Sequence, residues 1–199
     1  MAATDVELVR GALAGAEPAF REIVQRYQRP VYGLIARMVG DPGRAEELAQ
    51  DTFVRAFRAL HTYDTERKFT SWLMTIAHHV AIDELRKGRV DTEPLEFGEP
   101  GDDSAGRYRS REIADRSAAS PAALAEKVEL AQALRTAIAG LRPEYREVVT
   151  LRFEQDLDYA EIAEITGQPM GTVKSSLFRA RKELAESLES LGWGPLSSR

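Results

Sequence analysis

The chain contains no cysteine among its 199 residues. This absence excludes disulfide bonds, thiolate zinc sites and thiol catalysis, and it fits a protein of the reducing cytosol. Long apolar runs are also missing, since no stretch approaches the roughly eighteen apolar residues that a membrane-spanning helix needs. Residues 1–15 show no basic region followed by an apolar run, so we expect no signal peptide and no direct membrane insertion. We therefore expect a soluble, cytoplasmic protein.

An excess of positive charge is absent as well. The chain has 27 Lys and Arg against 32 Asp and Glu, a net charge of -5. It is therefore not a generically basic nucleic-acid coat, and any contact with DNA must come from a local patch and draw on further contacts.

Motifs of catalysis and metal binding are missing too. The sequence has no glycine-rich phosphate loop, no H-E-x-x-H metal motif and no nucleophile elbow, which disfavours an enzyme. Only His79 and Asp83 share a helical spacing suited to a metal, and two ligands without a third do not make a site. We expect no catalytic residue, no cofactor and no metal.

Helical periodicity dominates the chain, and no segment shows sustained strand alternation, so we predict an all-α fold. Thr4 with Glu7 has the spacing of a capping box ahead of a first helix that ends at Gly15. Pro30 predicts a boundary or a kink in the next helical stretch.

The pattern collapses between residues 88 and 123. Six acids follow one another there with no base between them, interspersed with Pro and Gly: Asp91, Glu93, Glu96, Glu99, Asp102 and Asp103. Such a segment has too little apolar surface to offset its ordering entropy, so we predict a flexible acidic linker, disordered when free. It divides the chain into two small helical domains, residues 1–87 and 124–199. The second is predicted to open with one apolar stripe: Val128, Ala131, Leu134, Ile138 and Leu141.

The stretch 157–188 has the layout of a helix-turn-helix, in which the second helix enters the DNA major groove. Asp158 and Glu161 form a second capping box, and Gly167 stops the first helix. In the second helix an inward stripe repeats at steps of three and four: Val173, Leu177, Ala180, Leu184 and Leu188.

The outer face of that second helix carries four cations before the first acid, Glu183. Its residues are Thr172, Lys174, Ser175, Ser176, Phe178, Arg179, Arg181 and Lys182. A solvated basic face on an ordinary amphipathic helix is the alternative. The turn, the cap and the one-sided cations together favour DNA binding.

Two earlier helices carry further patterns. In the helix after the Gly40–Pro42 turn, Glu46, Glu47, Gln50, Asp51 and Val54 lie outside the apolar stripe, which solvation alone would also explain. In the helix that begins at Phe69 the predicted buried stripe is Phe69, Trp72, Leu73, Ile76, Ala77 and Val80. Ser71, Thr75, His78 and Ile82 lie opposite this stripe.

Four strings in this order carry a resemblance to a known family: AEELAQDTFVRAFRAL, FTSWLMTIAHHVAIDELRK, LRPEYREVVTLRF and YAEIAEITGQPMGTVKSSLFRARKEL. The chain resembles the extracytoplasmic-function (ECF) group of bacterial sigma factors, the promoter-specificity subunits of RNA polymerase. The resemblance covers nearly the whole chain apart from the linker and the two tails. It implies a protein that binds core polymerase and directs promoter recognition, promoter melting and initiation.

The resemblance also implies roles for particular residues. The surface that grips the clamp helices of the largest polymerase subunit corresponds to Glu46, Glu47, Leu48, Gln50, Asp51, Phe53, Val54 and Phe57. The reader of the −10 element, where one strand is melted, corresponds to Lys68, Phe69, Thr70, Trp72, Thr75, His78, His79 and Arg86. The outer face of the second helix of the helix-turn-helix corresponds to the reader of the −35 element as duplex.

The chain departs from the family at four of these positions. Family members usually carry Arg-Asn where this chain has His78 and His79, which implies altered −10 contacts. Ser176 and Phe178 stand where Arg and His are common, which implies a different −35 preference. The departures bear on the promoter sequence and not on the role.

The resemblance implies an anti-sigma factor that holds the protein inactive, and association with the nucleoid within the holoenzyme. The alternative function is a stand-alone helix-turn-helix regulator that binds an operator without polymerase, its N-terminal module serving as sensor or dimerisation domain. That alternative leaves the linker and the −10-like helix unexplained.

Overall fold

The computed structural model describes residues 3–90 and 121–193, with the backbone alone for 88–90 and 121–123. Over these ranges the chain is helical and has no strand, which confirms the predicted all-α fold. The helices are α1 (Asp5–Leu13), α2 (Glu17–Val39), α3 (Pro42–Ala59), α4 (Phe69–Val90), α5 (Pro121–Gly140), α6 (Pro143–Val149), α7 (Tyr159–Thr166) and α8 (Met170–Ser190). A 3₁₀ turn, Leu60–Thr62, extends α3, and a π-helical segment, Thr150–Glu154, extends α6.

Both predicted capping boxes are confirmed. The backbone N–H of Glu7 donates to Thr4 Oγ1 at 3.3 Å, and the N–H of Thr4 donates to the Glu7 carboxylate at 2.8 Å. Asp158 and Glu161 exchange the same two bonds at the start of α7, at 2.8 and 2.7 Å. Because the first N–H groups of a helix have no partner within it, these side chains fix where α1 and α7 begin.

Two of the expected helix boundaries are corrected by the structure. Helix α1 ends at Leu13, and Gly15 lies beyond it in the left-handed region with φ of 81°. Helix α2 continues through Pro30, so of the boundary or kink predicted there the boundary is wrong. The buried side chains Tyr27, Val31 and Leu34 form one stripe across the proline, and their packing offsets the hydrogen bond that the ring removes.

Each half of the chain packs around one long helix. Helix α2 packs against α1, α3 and α4, and α8 packs against α5, α6 and α7. Val173, Leu177 and Ala180 of α8 are buried as predicted. The stripe predicted for α5 is only partly correct, because Leu141 is buried but Val128 and Leu134 are exposed.

The predicted linker lies almost wholly outside the described residues. Helical backbone extends into it at both ends, since α4 runs to Val90 and α5 begins at Pro121. The two helical halves nevertheless touch: α4 packs against α7, and α2 packs against α6 and the π-helical segment. Their buried apolar side chains form one contiguous cluster. In this structure the helix-turn-helix therefore lies against the N-terminal module.

Candidate functional site

The outward face of α8 is built on a tight turn. Gly167 ends α7 with φ of 65°, a left-handed conformation that costs glycine little because it has no Cβ. Helix α8 then begins at Met170, with Pro169 at its N-cap. This geometry turns one face of α8 toward α6 and α7 and the other toward solvent.

Seven of the eight residues predicted for the −35 face are exposed. They are Thr172, Lys174, Ser175, Phe178, Arg179, Arg181 and Lys182. Phe178 is 73% exposed, which is unusual for an aromatic side chain that serves only packing. Ser176 is the exception, because it is buried where α8 packs against its neighbours, so its predicted outward position is wrong.

Tyr159 at the start of α7 is a neighbour of this face that the sequence did not single out. The Nζ of Lys174 lies 6.0 Å from the centre of the Tyr159 ring, and the guanidinium of Arg152 lies 5.4 Å from it. Cations near an aromatic face are attracted to its negative charge distribution. Tyr159 therefore orients Lys174 at the beginning of the basic face.

On α3, six of the eight residues predicted to bind polymerase reach the surface. Glu46, Glu47, Gln50 and Val54 are exposed, and Asp51 and Phe57 are half-buried. Leu48 and Phe53 are instead buried in the core, so their predicted place on this surface is corrected. Phe53 also lines the groove between α2 and α3.

Two acids of α3, Glu47 and Asp51, are paired with basic residues but stay accessible. Arg44 forms an ion pair with Glu47 and a second with Glu84, whose Oε1 lies 2.6 Å from Arg44 Nε. Asp51 accepts a hydrogen bond from Arg55 at 2.8 Å. These pairs fix the carboxylates along one side of α3.

A groove between α2 and α3 adjoins these acids. It has a volume of about 290 Å³, and its lining includes Gln28, Arg29 and Tyr32 of α2 together with Glu46 and Gln50 of α3. The sequence assigned the surface to α3 alone. The contribution of α2 was missed because helical spacing shows which face of a helix is polar but not which helix lies beside it.

The predicted −10 residues are divided between surface and core. Lys68, His79 and Arg86 are exposed, whereas Thr70, Trp72 and Thr75 are half-buried. Phe69 is buried, with its ring centre 5.2 Å from those of Tyr27 and Tyr63, so it packs the core and does not reach DNA. The burial of Phe69 confirms its place in the predicted apolar stripe, whereas His78 is buried although it was predicted to lie opposite that stripe.

Residues of the C-terminal module cover part of this surface. Glu161 accepts hydrogen bonds from Lys68 Nζ at 3.0 Å and from Ser71 Oγ at 2.6 Å. Arg67 forms an ion pair with Glu164, and His78 Nδ1 contacts the Glu147 carboxylate. The sequence assigned Glu161 only to the capping box, and it gave no role to Glu147 or Glu164.

Protonation equilibria reflect these contacts. The hydrogen bond to Glu161 raises the pKa of Lys68, and the bond to Glu164 raises the pKa of Arg67. Burial alone would raise the pKa of Glu161, but the bonds from Ser71, the Asp158 backbone N–H and Lys68 hold it below its usual value. Lys68, Arg67 and Glu161 are therefore charged at neutral pH.

Other kinds of site find no support in the described parts of the chain. Within residues 3–90 and 121–193 no three His, Asp or Glu side chains are grouped as a metal would require. None of the helices there is both long and apolar enough to cross a bilayer.

A basic helix-turn-helix joined to a separate helical module defines a DNA-binding protein with two distinct functional parts. The family model described as Sigma-70 region 2 matches residues 23–90, and the model described as Sigma-70, region 4 matches residues 131–184. The chain belongs to the ECF sigma factors of the sigma-70 family, which direct bacterial RNA polymerase to promoters. Membership of this family supports the function that depends on polymerase, and it does not support the alternative of a stand-alone regulator.

Three relatives match over more than nine-tenths of their own length. The ECF RNA polymerase sigma factor SigW of Bacillus subtilis is 34% identical over 177 residues, which cover 89% of this chain and 92% of SigW. The RNA polymerase sigma-H factor of Pseudomonas aeruginosa is 31% identical over 94% of this chain and 95% of its own. The ECF RNA polymerase sigma-E factor of Escherichia coli K12 is 33% identical, with 94% and 96% covered.

Solved structures share the fold. The sigma factor RpoE of Bartonella quintana, in complex with the anti-sigma factor NepR, has a TM-score of 0.63 at 24% identity. The match covers 85% of this chain and 96% of that one. CnrH in complex with the cytosolic domain of CnrY has a TM-score of 0.58 at 24% identity, with 92% and 96% covered.

Proposed function

We propose that this sigma factor binds polymerase through α3 and reads two promoter elements through α4 and α8. The exposed basic face of α8, with Phe178 at its centre, is the observation that carries the proposal. In this assignment residues 1–87 form the polymerase and −10 module, and residues 124–199 form the −35 module. The acidic segment between them would thread the polymerase channel that later holds RNA.

The polymerase surface is proposed to consist of the accessible side chains of α3: Glu46, Glu47, Gln50, Asp51, Val54 and Phe57. An apolar Val54 beside several carboxylates suits a helical partner with a mixed apolar and basic face. The clamp helices of the largest polymerase subunit are the partner that the family resemblance implies. Arg29 and Tyr32 in the adjoining groove extend the same surface.

The −10 element is proposed to bind the loop before α4, residues 63–68, and the exposed side of that helix. Lys68, Trp72, Thr75, His79 and Arg86 offer cationic and aromatic groups there. Stacking on an aromatic side chain returns about 1–3 kcal/mol per base. Flipping a base out of the duplex costs a few kcal/mol, so at one pocket the free energies of stacking and flipping roughly cancel. The remaining free energy for melting must come from contacts within the holoenzyme.

The −35 element is proposed to lie along α8 as duplex DNA. Arg179, Arg181 and Lys182 are exposed for phosphate or base contacts, and an exposed Phe178 suits the methyl group of thymine. A good bidentate base contact contributes about 1–3 kcal/mol of discrimination. Two readers of this strength become selective when one rigid body presents both, because the first contact raises the effective concentration of the second.

Three further assignments rest on the family. The protein is proposed to act without chemistry of its own and to work in the bacterial cytoplasm, at the nucleoid when bound to polymerase. An anti-sigma factor is proposed as its inhibitor. RpoE of Bartonella quintana in complex with NepR supports the kind of partner.

Run-off transcription tests the proposal. Purified chain and core polymerase are combined with a library of promoter fragments, and transcripts are sequenced. We expect a shared start site preceded by two common sequence elements. Transcripts no more frequent or more uniform than those from core polymerase alone would overturn it.

A further inference from the structure

Helix α7 lies on the surface to which the proposed function assigns the −10 element. Its Glu161 bonds to Lys68 and Ser71, and its Glu164 pairs with Arg67. Arg67 and Lys68, the two cations directly before α4, are therefore already neutralised by carboxylates from the C-terminal module. A cavity of about 220 Å³ lies beside these contacts, and its lining includes Trp72, Thr75 and Ile165.

The contact has a buried centre and an exposed rim. His78 of α4 and Glu147 of α6 are both about 8% exposed and touch each other across the two modules. The rim is more open, because Arg67 and Glu164 are 56% and 55% exposed. A desolvated centre with a polar rim is the usual anatomy of a specific protein interface.

We infer that the C-terminal module closes over the −10 surface and competes there with single-stranded DNA. This inference rests on the −10 role proposed above for that surface. Carboxylates and phosphates both offer anionic oxygens to Arg and Lys, so Glu161 and Glu164 occupy the place of DNA phosphates. Closure and DNA binding then exclude each other, and the free chain is held back from premature DNA contact.

The closed arrangement is built to open. Exposed ion pairs stabilise little, and a 220 Å³ cavity leaves the contact less tightly packed than a protein interior. Arg146 is half-buried near Arg37, where its Nη1 donates to the Arg37 backbone carbonyl at 3.1 Å, and burial together with the Arg37 charge lowers the pKa of Arg146. Among the described side chains, the buried Nε of Arg146 has no hydrogen-bond partner. The exposed ion pairs, the cavity and the unbonded Nε of Arg146 all reduce the stability of the closed arrangement. A ligand that binds the −10 surface more strongly than α7 does can therefore displace α7.

Two carboxylate-to-amide changes in the full chain test the inference. Glu161→Gln with Glu164→Gln removes both charges while keeping a residue type that the capping box accepts. Glu126→Gln with Glu129→Gln makes the same charge change on the exposed side of α5 and serves as the control. Dyes on Glu66→Cys and Ala185→Cys, both exposed, report the separation of the modules by energy transfer; no native cysteine competes for the label.

The native chain is expected to show high energy transfer that falls when a short fluorescent single-stranded DNA of random sequence is added. The Glu161/Glu164 variant should start at lower transfer and bind that DNA about threefold to tenfold more tightly, and the control should match the native chain. Low transfer in the native chain would overturn closure. A fall in transfer without a gain in affinity would overturn the competition.

A substitution at the buried centre of the contact gives a second test of closure. His78→Ala leaves Glu147 buried without its partner, so it should lower energy transfer more than the rim variant does. Unchanged transfer in this variant, with native circular dichroism, would contradict closure. Holoenzyme transcription with Arg67→Gln and Lys68→Gln tests the −10 role separately, because closure does not enter the polymerase-bound state.

Discussion

Ser176 and Phe178 are two residues apart on α8, yet one is buried and the other is 73% exposed. The apolar stripe of α8 could be predicted from spacing alone, but the width of its buried face could not. Helices α5, α6 and α7 all pack against α8, and its buried face extends beyond the apolar stripe to include Ser176. Leu48, Phe53 and Phe69 were similarly assigned to binding by family resemblance, although each is a core residue of this chain.

Charge reversal on α3 tests the polymerase surface at the scale of single residues. Glu47→Lys with Asp51→Lys should weaken core binding by about tenfold or more, because like charges then face the basic groups of the partner. Arg44 keeps its pair with Glu84, so the fold should persist. Core affinity is measured by fluorescence anisotropy of the labelled chain.

The matched control places the same charge change at the end of α8, with Glu186→Lys and Glu189→Lys. Both positions are exposed and lie outside the proposed polymerase surface. Native affinity in the α3 variant would refute the assignment, as would an equal loss in the control.

Two cations of α8 test the −35 reader. Arg179→Ala with Lys182→Ala should reduce duplex binding within the holoenzyme. The slope of the logarithm of the binding constant against the logarithm of salt concentration should become shallower by about one or two. Promoter binding measured over a range of salt concentrations supplies the slope. Lys127→Ala with Arg135→Ala, on α5, is the control and should leave the slope as it is. Initiation that stays at the native level at high salt in the α8 variant would count against the assignment.

At the scale of elements, local sequence signals were informative wherever a helix ends at a cap. Both capping boxes and the turn glycine of the helix-turn-helix were predicted and are present. Pro30 shows the limit of such signals, because tertiary packing on both sides of it carries α2 through. The second role of α7, as a cover for the loop before α4, has no local signal at all.

The turn between α7 and α8 allows a test with two glycines. Gly167→Ala should lower the free energy of unfolding by about 1 kcal/mol, because φ of 65° strains a residue with a Cβ. Gly171→Ala, within α8 and with open space around its Cβ, should leave stability unchanged or raise it by less than about 1 kcal/mol. Urea denaturation followed by circular dichroism measures both. Equal losses in the two variants would argue against strain at the turn.

At the scale of the whole molecule, the sequence predicted two helical modules but not the contact between them. Periodicity identifies the buried face of each helix and says nothing about which distant helix covers it. His78 illustrates this limit: the sequence placed it opposite the apolar stripe of α4, and there α6 buries it against Glu147. The net charge of -5 fits the same picture, since it disfavours binding to DNA before polymerase is engaged.

The need for polymerase is tested by protection of promoter DNA from cleavage, measured with the chain alone, with core polymerase alone and with the two together. We predict that both promoter elements are protected only when chain and polymerase are combined, with the −10 strand opened in that mixture alone. Protection of the same sites by the chain alone, at the same concentration and salt, would show that promoter recognition does not require polymerase and would refute the proposed function.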